Sequence, residues 1–319
     1  MEELVLELRR PQSLTAAARS PYLDNAKLAM MFLVVFGHLS EISFKGAQGQ
    51  AITVVYGLIY LFHVPAWAFL AGVTSKPGTS IRSALKLVPA LAVFQIAYVA
   101  ITIHRAADIR HWLVTLWWVL WFLLSLIFWK LALPVAVRFR WSIPASFAVA
   151  ILAGLFGFVG RPLSLSRTLV WFPLFLAGHL FGRQLLHFTA SASRIFTFAG
   201  AACIYVAGLL MFKWPFPVED LYEAGSYASM NFHPLGLGMA FRTMHLVSAG
   251  ILGTCALCLV PRTEHRFTRF GARSLTILLF HPLFIRLIGR CEHQWGTVAS
   301  IPVLLALALA ITFVSGIKP

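Results

Sequence analysis

The stretch YLDNAKLAMMFLVVFGHLSE, residues 22–41, places a lysine and a histidine in one otherwise apolar segment. Lys27 and His38 are eleven positions apart, and only apolar residues and one glycine lie between them. In a helix, eleven steps of about 100° make three turns plus roughly 20°, so both side chains share a face and lie about 16 Å apart. We therefore expect a membrane helix with a cation at its edge and an imidazole well inside the bilayer.

The composition is that of a protein whose solvent is largely lipid. The 319-residue chain is 59% hydrophobic and only 12% charged, and its mean hydropathy is +0.81. A soluble domain of this size carries about 25% charged residues. The composition therefore predicts an all-α integral membrane protein.

Apolar runs long enough to cross a hydrocarbon core of about 30 Å recur along the whole chain. They predict a bundle of about ten transmembrane helices, at residues 26–44, 51–72, 84–103, 116–137, 142–159, 168–186, 195–212, 240–260, 271–289 and 297–316. We expect residues 1–20 to form a cytoplasmic tail and residues 21–316 to form one transmembrane domain. The tryptophan-rich start of the segment 111–134 is expected at the membrane interface.

The distribution of lysine and arginine predicts the orientation. With the N-terminus in the cytoplasm, 17 of the 26 basic residues fall on the inner side, as the positive-inside rule requires. The formal charge of +15 is then explained by topology and by attraction to anionic lipid, because the basic residues are scattered over many loops. We expect a multi-pass protein of the cell membrane, the bacterial plasma membrane, with membrane lipids and no nucleic acid among its partners.

The cysteines indicate neither a disulfide framework nor a metal site. Cys255 and Cys258 form a CxxC pair inside an apolar run that has no basic or histidine neighbours. Cysteine in such surroundings packs as a small hydrophobe. We expect no metal and no bound cofactor.

Three histidines are predicted to lie at one depth. His38, His63 and His281 are each about ten to twelve residues from one end of a predicted span, which at 1.5 Å per residue is near the middle of the bilayer. Ionisable residues inside a membrane are costly and often functional. The alternative interpretation of each histidine is a hydrogen bond between helices.

Acidic residues are scarce, and only two fall within predicted spans. Of the 11 acids, Asp24 and Glu41 lie at the two ends of the first span. A proton-coupled carrier usually needs a carboxylate in mid-membrane, so the acids argue against that class. A buried imidazole without such a neighbour stays neutral and can accept a proton from a hydroxyl. His38 is therefore the candidate general base.

Each of the two acids has two interpretations. Glu41 lies three residues after His38, where it either fixes the imidazole tautomer or is a solvated carboxylate at the interface. Asp24 lies three residues before Lys27, where it either holds the ammonium group or caps the first turn of the helix.

A series of apolar motifs with embedded polar residues resembles the membrane acyltransferase 3 family, and the motifs follow one another in the order found in that family. The pattern of a basic residue, ten apolar positions and a histidine in the first span resembles that family, and YLDNAK…FLVVFGHLSE resembles its fucose 4-O-acetylase-like branch. The remaining motifs are LIYLFHVPAWAFLAGVTSK at 58–76, IRSALKLVPALAVFQ at 81–95, LWFLLSLIFWKLALP at 120–134, SRTLVWFPLFLAGHLFGR at 166–183 and LVPRTEHRFTRFGARSLTILLFHP at 259–282. The resemblance covers roughly residues 20–290.

The resemblance implies a ten-helix membrane enzyme and an activity. Such an enzyme takes an acetyl or other short acyl group from a coenzyme A thioester and esterifies a hydroxyl, usually on a carbohydrate. It implies that His38 is the essential histidine and that Lys27 fills a position more often held by arginine. Lysine keeps the charge for a phosphate contact but lacks the bidentate geometry of arginine.

The expected partners are therefore a donor, which is acetyl-CoA or another acyl-CoA, and an acceptor, which is a carbohydrate or glycoconjugate. The donor's phosphates require cations at the inner membrane edge. Lys27, Arg82 and Lys86 are the candidates, with Asp24 beside Lys27, and Arg82 and Lys86 are four residues apart and share a helix face. The alternative interpretation is that these basic residues only anchor the helix ends at the cytoplasmic membrane surface, as the positive-inside rule describes.

Four further residues are candidates for acceptor binding or for support of the site. Arg167 and Arg242 are predicted at the outer mouths of spans, where they bind the acceptor sugar, orient the acyl carbonyl oxygen or extend toward the headgroups. His63 and His281 lie near prolines, where a freed backbone carbonyl needs a donor. The segment 213–238 is predicted to be exposed and to bind the acceptor with its aromatic and acidic residues, or else to form an interfacial aromatic belt.

Two further classes of function stay open at this stage. One is a transporter or flippase of a glycolipid or sugar-linked lipid, although the sequence shows no repeated halves. The other is a membrane scaffold in which the polar residues only join helices. The identity of the acceptor, the acyl chain length and the oligomeric state do not follow from the sequence.

Overall fold

In a computed structural model of the chain, the described residues are 20–41, 49–102, 115–214, 217–295 and 301–317. Within these ranges the protein is helical and contains no β-strand. The helices are α1 Pro21–Ser40, α2 Gly49–Tyr60, α3 His63–Val73, α4 Pro77–Leu85, α5 Val88–Thr102, α6 Leu120–Ala136, α7 Ser142–Leu152, α8 Leu165–Ser191, α9 Arg194–Lys213, α10 Leu235–Cys258, α11 Thr268–Gly271, α12 Ser274–Trp295 and α13 Ile301–Ser315. Each of the ten predicted apolar segments overlaps one or two of these helices. The predicted tail lies outside the described residues, apart from Ser20.

Five helical segments are long and apolar enough to cross a membrane: Ala51–Val73, Pro77–Ile101, Pro162–Ser191, Arg194–Lys213 and Leu235–Cys258. Four further apolar helices are shorter, at Leu120–Ala136, Ser142–Leu155, Ser274–Gly289 and Ile301–Ser315. Large apolar side chains point outward from the bundle; Phe198, for example, is 73% exposed. Such a surface suits lipid and not water. The chain is thus a multi-pass membrane protein.

The first helix begins five residues before the predicted boundary because its start is capped. Ser20 is the N-cap, and its side chain accepts a hydrogen bond from the backbone N–H of Leu23 at 3.4 Å. Pro21 occupies the first turn, where its missing N–H costs nothing. Asp24 is therefore not the cap, as one interpretation of the sequence held, but lies buried in the first turn.

Two predicted spans are each made of two helices. The span 51–72 breaks between α2 and α3, and the span 84–103 breaks between α4 and α5. In both cases a proline, Pro65 or Pro89, lies within the first three residues of the second helix. Proline is tolerated there but cannot continue the hydrogen bonding of the preceding helix. The first of these breaks places His63 at the start of α3, beside Tyr60.

Helices α3 and α8 pack at backbone contact. A Cβ atom on Gly72 would collide with the backbone carbonyl of Phe175, and one on Gly178 would collide with the carbonyl of Phe69. Small residues allow this close approach between helices in membranes. The contact fixes α3, which carries His63, against the helix that carries Arg167.

The segment after α9 is only partly exposed, because residues 223–227 are buried whereas Trp214 and residues 233–237 are exposed. It folds into a short 3₁₀ helix, Val218–Tyr222, and then packs into the bundle, so that Glu223 and Tyr227 are fully buried. The phenol of Tyr227 donates to the carbonyl oxygen of Ile151 at 2.6 Å. Residues 223–227 are therefore part of the folded core, and the prediction of exposure holds for residues 213–214 and 233–237. Cys255 and Cys258 are both free thiols.

Candidate active site

A cavity of about 560 Å³ lies inside the bundle, and five of the described charged side chains contribute to its wall. One end, called here the lysine end, is lined by Lys27 and Lys130. The other, called the arginine end, is lined by Arg161 and Arg167. Glu41 is the single acid among the described lining residues.

The two ends are at opposite ends of α1. Lys27 lies near its start and Glu41 follows its last residue, which is about 21 Å away at 1.5 Å per residue. Glu41 is connected to the arginine end through phenols and a carbonyl: Tyr56 bonds Glu41 at 2.7 Å and Tyr222 at 2.6 Å, and Arg167 Nε donates to the carbonyl oxygen of Tyr222 at 2.9 Å. His38 lines the cavity between the two ends.

The imidazole of His38 faces a carboxylate and a phenol. Its Nδ1 lies 3.5 Å from Oε1 of Glu41 and 3.4 Å from the hydroxyl oxygen of Tyr60. The carboxylate oxygen also accepts hydrogen bonds from Tyr56 at 2.7 Å and Tyr60 at 3.1 Å. An ionised carboxylate only accepts hydrogen bonds, so this arrangement favours a proton on Nδ1 and leaves Nε2 as the basic nitrogen.

Two rings pack against the imidazole of His38. The ring of His281 stacks on it with centroids 5.6 Å apart, and the indole of Trp118 meets it at 4.7 Å in an edge arrangement. Trp118 has a positive φ of 37°, a conformation that is uncommon for residues other than glycine. Such backbone conformations cluster at functional sites.

His63 and His281 both donate to a carbonyl one turn earlier in the chain. Nδ1 of His63 lies 2.8 Å from the carbonyl oxygen of Ile59, and Nδ1 of His281 lies 2.8 Å from that of Ile277. Because a carbonyl oxygen only accepts, Nδ1 carries the proton in both rings. His63 lines the cavity, whereas His281 is fully buried behind His38. The ring of His281 thus stacks on His38, and the ring of His63 contacts Tyr60 with centroids 4.6 Å apart.

At the lysine end, the structure separates the predicted donor-binding residues. Lys27 lines the cavity, but Arg82 and Lys86 are exposed, and Ser83 and Leu87 from the same region line the cavity instead. The donor-binding role of Arg82 and Lys86 stays a prediction from the sequence. Asp24 is buried outside the cavity wall.

Lys130, the second cation at this end, was not among the residues predicted from the sequence. Its ammonium group donates to the hydroxyl of Ser75 at 3.0 Å, and the carbonyl of the same serine accepts from His179 at 2.9 Å. Within the described ranges no carboxylate lies within ion-pair distance of Lys130. The sequence did contain a signal for this residue, because Lys130 is the one charged residue in the apolar run 120–136.

Arg167 and Arg242, which were predicted together, have different surroundings. Arg167 lines the cavity and lies over the ring of Trp121, with its guanidinium carbon 4.6 Å from the ring centroid. Arg242 is fully buried outside the cavity wall, where its Nε donates to Oε2 of Glu223 at 2.7 Å. Nδ1 of His245 lies 3.1 Å from the other oxygen of that carboxylate.

The prediction that Arg242 binds the acceptor is therefore corrected. Its charge is compensated inside the protein by Glu223, and its other donors bond the carbonyl oxygens of Ala150 at 3.1 Å and Gly225 at 3.2 Å. A buried ion pair with these additional hydrogen bonds anchors the segment after α9 on α10. Among the described residues, no three His, Cys, Asp or Glu side chains are grouped so that they could hold a metal ion.

The fold and the cavity together define a helical membrane protein with a histidine in a cationic internal site. A family model described as an acyltransferase domain, that of the acyltransferase 3 family, matches residues 20–317. The chain belongs to this family and is an acyltransferase that transfers groups other than aminoacyl groups. No curated protein and no solved structure matches the chain.

Proposed function

We propose that the protein transfers an acetyl or other short acyl group from a coenzyme A thioester to a hydroxyl of a carbohydrate or glycosylated acceptor, with His38 as the general base. The observation that carries this proposal is the position of His38 in a cavity that has cations at both ends. A thioester that enters from the lysine end brings its carbonyl carbon to His38. A hydroxyl compound that enters from the arginine end meets it there.

The reaction proceeds by direct transfer. Nε2 of His38 takes the proton of the acceptor hydroxyl, and the oxygen attacks the thioester carbonyl carbon. The tetrahedral intermediate then collapses, the carbon–sulfur bond breaks, and the coenzyme A thiolate takes the proton back from the imidazolium. Glu41 stabilises the imidazolium and keeps the proton on Nδ1 during the cycle.

The lysine end suits the donor's phosphates. Lys27, about three turns from His38 on the same helix, and Lys130 supply two positive charges, and phosphates bind such charges strongly. A thin pantetheine arm then follows the cavity wall to the histidine. His63 and His281 support the ring of His38, and Arg82, Lys86 and Asp24 remain candidates for outer contacts with the donor.

The same proposal includes the membrane arrangement. All ten apolar segments cross the membrane, and the lysine end faces the cytoplasm, where coenzyme A thioesters are made. The many basic residues on that side under this orientation support it. We place the protein in the bacterial plasma membrane and, by its first-span motif, in the fucose 4-O-acetylase-like branch.

Replacement of His38 tests the proposal. In purified protein supplied with labelled acetyl-CoA and a panel of sugars, His38→Ala is expected to lower kcat by at least about 100-fold, since a positioned base contributes that much. His187→Ala is the matched control, because His187 is exposed on α8 and lies outside the cavity wall. Donor binding by His38→Ala, measured by calorimetry, shows that the variant is folded.

Two results would contradict the proposal. If His38→Ala transfers acetyl groups as fast as the wild type, the base is another residue. If the wild type binds no acyl-CoA, the coenzyme A form of the proposal fails.

The second candidate function is transport of a sugar-linked lipid, which a cavity lined at both ends of α1 also suits. If the protein is such a transporter, transport continues without acyl-CoA.

A further inference from the structure

The arginine end of the cavity has an excess of positive charge that the proposed donor does not use. Arg161 and Arg167 both line the cavity there; Arg167 is in the first turn of α8, and Arg161 lies four residues before that helix. The positive end of the helix dipole of this 27-residue helix lies at the same place. Because the donor's phosphates are assigned to the lysine end, these charges face the other substrate.

The guanidinium group of Arg167 is positioned but not fully used. Its Nε bonds the carbonyl oxygen of Tyr222, and the ring of Trp121 lies beneath it. Its terminal nitrogens have no hydrogen-bond partner among the residues that the structure describes. Since Nε is occupied by Tyr222, the two terminal NH₂ groups remain to bind an oxyanion.

The nearest acid of the wall is already engaged. Glu41 has Tyr56, Tyr60 and His38 around its carboxylate. Glu223 on the neighbouring segment is paired with Arg242 and His245 outside the cavity wall. Neither carboxylate is in ion-pair contact with Arg161 or Arg167 in the described part of the chain.

From this arrangement we infer that the acceptor is anionic, with a carboxylate or phosphate group that Arg161 and Arg167 bind while its hydroxyl lies at His38. The inference rests on the proposed function, because it assigns the arginine end to the acceptor. Tyr222 and Trp121, which also line this end, supply aromatic faces for a sugar ring. The substrate class is therefore an acidic or phosphorylated carbohydrate.

Direct binding in the absence of donor tests the inference separately from catalysis. Glucose, glucuronic acid and glucose 6-phosphate are titrated into purified protein in a calorimeter. We expect one or both anionic sugars to bind at least about tenfold more tightly than glucose, since a charge-assisted hydrogen bond contributes that much. Comparison of glucuronic acid with glucose 6-phosphate identifies the anionic group.

Charge-removing variants locate the binding. Arg161→Gln and Arg167→Gln should each reduce the affinity for the preferred anionic sugar about tenfold and leave acetyl-CoA affinity unchanged. Arg183→Gln, an exposed arginine on the same helix, is the matched control. Thermal unfolding of each variant excludes loss of fold as the cause.

Several outcomes would overturn the inference. It fails if the wild type binds all three sugars equally, or if the preference persists in both arginine variants. It also fails if these variants weaken acetyl-CoA binding instead, because the arginine end then holds the donor. Absence of acetyl-CoA binding together with an arginine-dependent preference for anionic sugars would reject the proposed function and leave the anion site standing.

Discussion

At the scale of the residue, the contact between Glu41 and His38 favours a proton on Nδ1 and leaves Nε2 as the basic nitrogen. The carboxylate oxygen lies 3.5 Å from Nδ1 and accepts from two tyrosines, so its position is fixed independently of the histidine. A glutamine in place of Glu41 lacks the charge that stabilises the imidazolium. Its amide N–H can also donate a hydrogen bond to Nδ1, which favours the tautomer with the proton on Nε2. The acid is therefore expected to matter more for kcat than for substrate binding.

We predict that Glu41→Gln lowers kcat by roughly 100-fold to 10,000-fold, because a positioned base contributes a factor in this range and depends on the correct tautomer. The KM for acetyl-CoA should change little, since Glu41 is remote from the lysine end. Glu264→Gln, at an exposed position, is the control. Steady-state rates with the acceptor in excess give the measurement, and a kcat within about twofold of wild type would remove Glu41 from the mechanism.

At the scale of the helix, the close contact between α3 and α8 positions both sides of the cavity. We predict that Gly178→Ala destabilises the protein, because its Cβ would collide with the backbone carbonyl of Phe69 and must separate the helices. Gly250→Ala is the matched control, since a Cβ added to that helical glycine would have no atom within 4 Å. The apparent Tm in detergent should fall for Gly178→Ala by several degrees and stay level or rise slightly for Gly250→Ala. Equal Tm values for the two variants would show that the helices can separate without cost.

The helices themselves were predictable from the sequence, because an apolar run in lipid has to satisfy its backbone hydrogen bonds within itself. Their breaks were less visible, although Pro65 and Pro89 marked them. The buried pair of Glu223 and Arg242 was not predictable, since it joins a polar segment rich in turn residues to a helix through a contact that exists only after folding. The roles of Tyr56 and Tyr60 were not predicted either, because their rings fit an apolar membrane helix and nothing in the sequence shows that their hydroxyls bond Glu41.

At the scale of the whole molecule, the charges of the cavity divide into two groups with His38 between them. Of the candidates predicted from the sequence, Lys27 and His38 share one helix, so their separation followed from helical geometry alone. Lys130, Arg161 and Arg167 reach the same cavity from other helices and turns. Their convergence depends on how the helices pack, which a single sequence does not specify.

This division predicts different kinetic effects for charges at the two ends. Lys130→Gln should raise the KM for acetyl-CoA by about tenfold or more, because it removes a half-buried ammonium group from the end of the cavity that we propose binds the donor's phosphates. The affinity for the acceptor should stay unchanged. Lys213→Gln, at an exposed lysine outside the cavity wall, is the control. Lys86→Gln measured beside them tests the sequence prediction for that exposed residue. If Lys130→Gln instead weakens acceptor binding and spares acetyl-CoA, the donor enters from the arginine end and the orientation of the whole reaction is reversed.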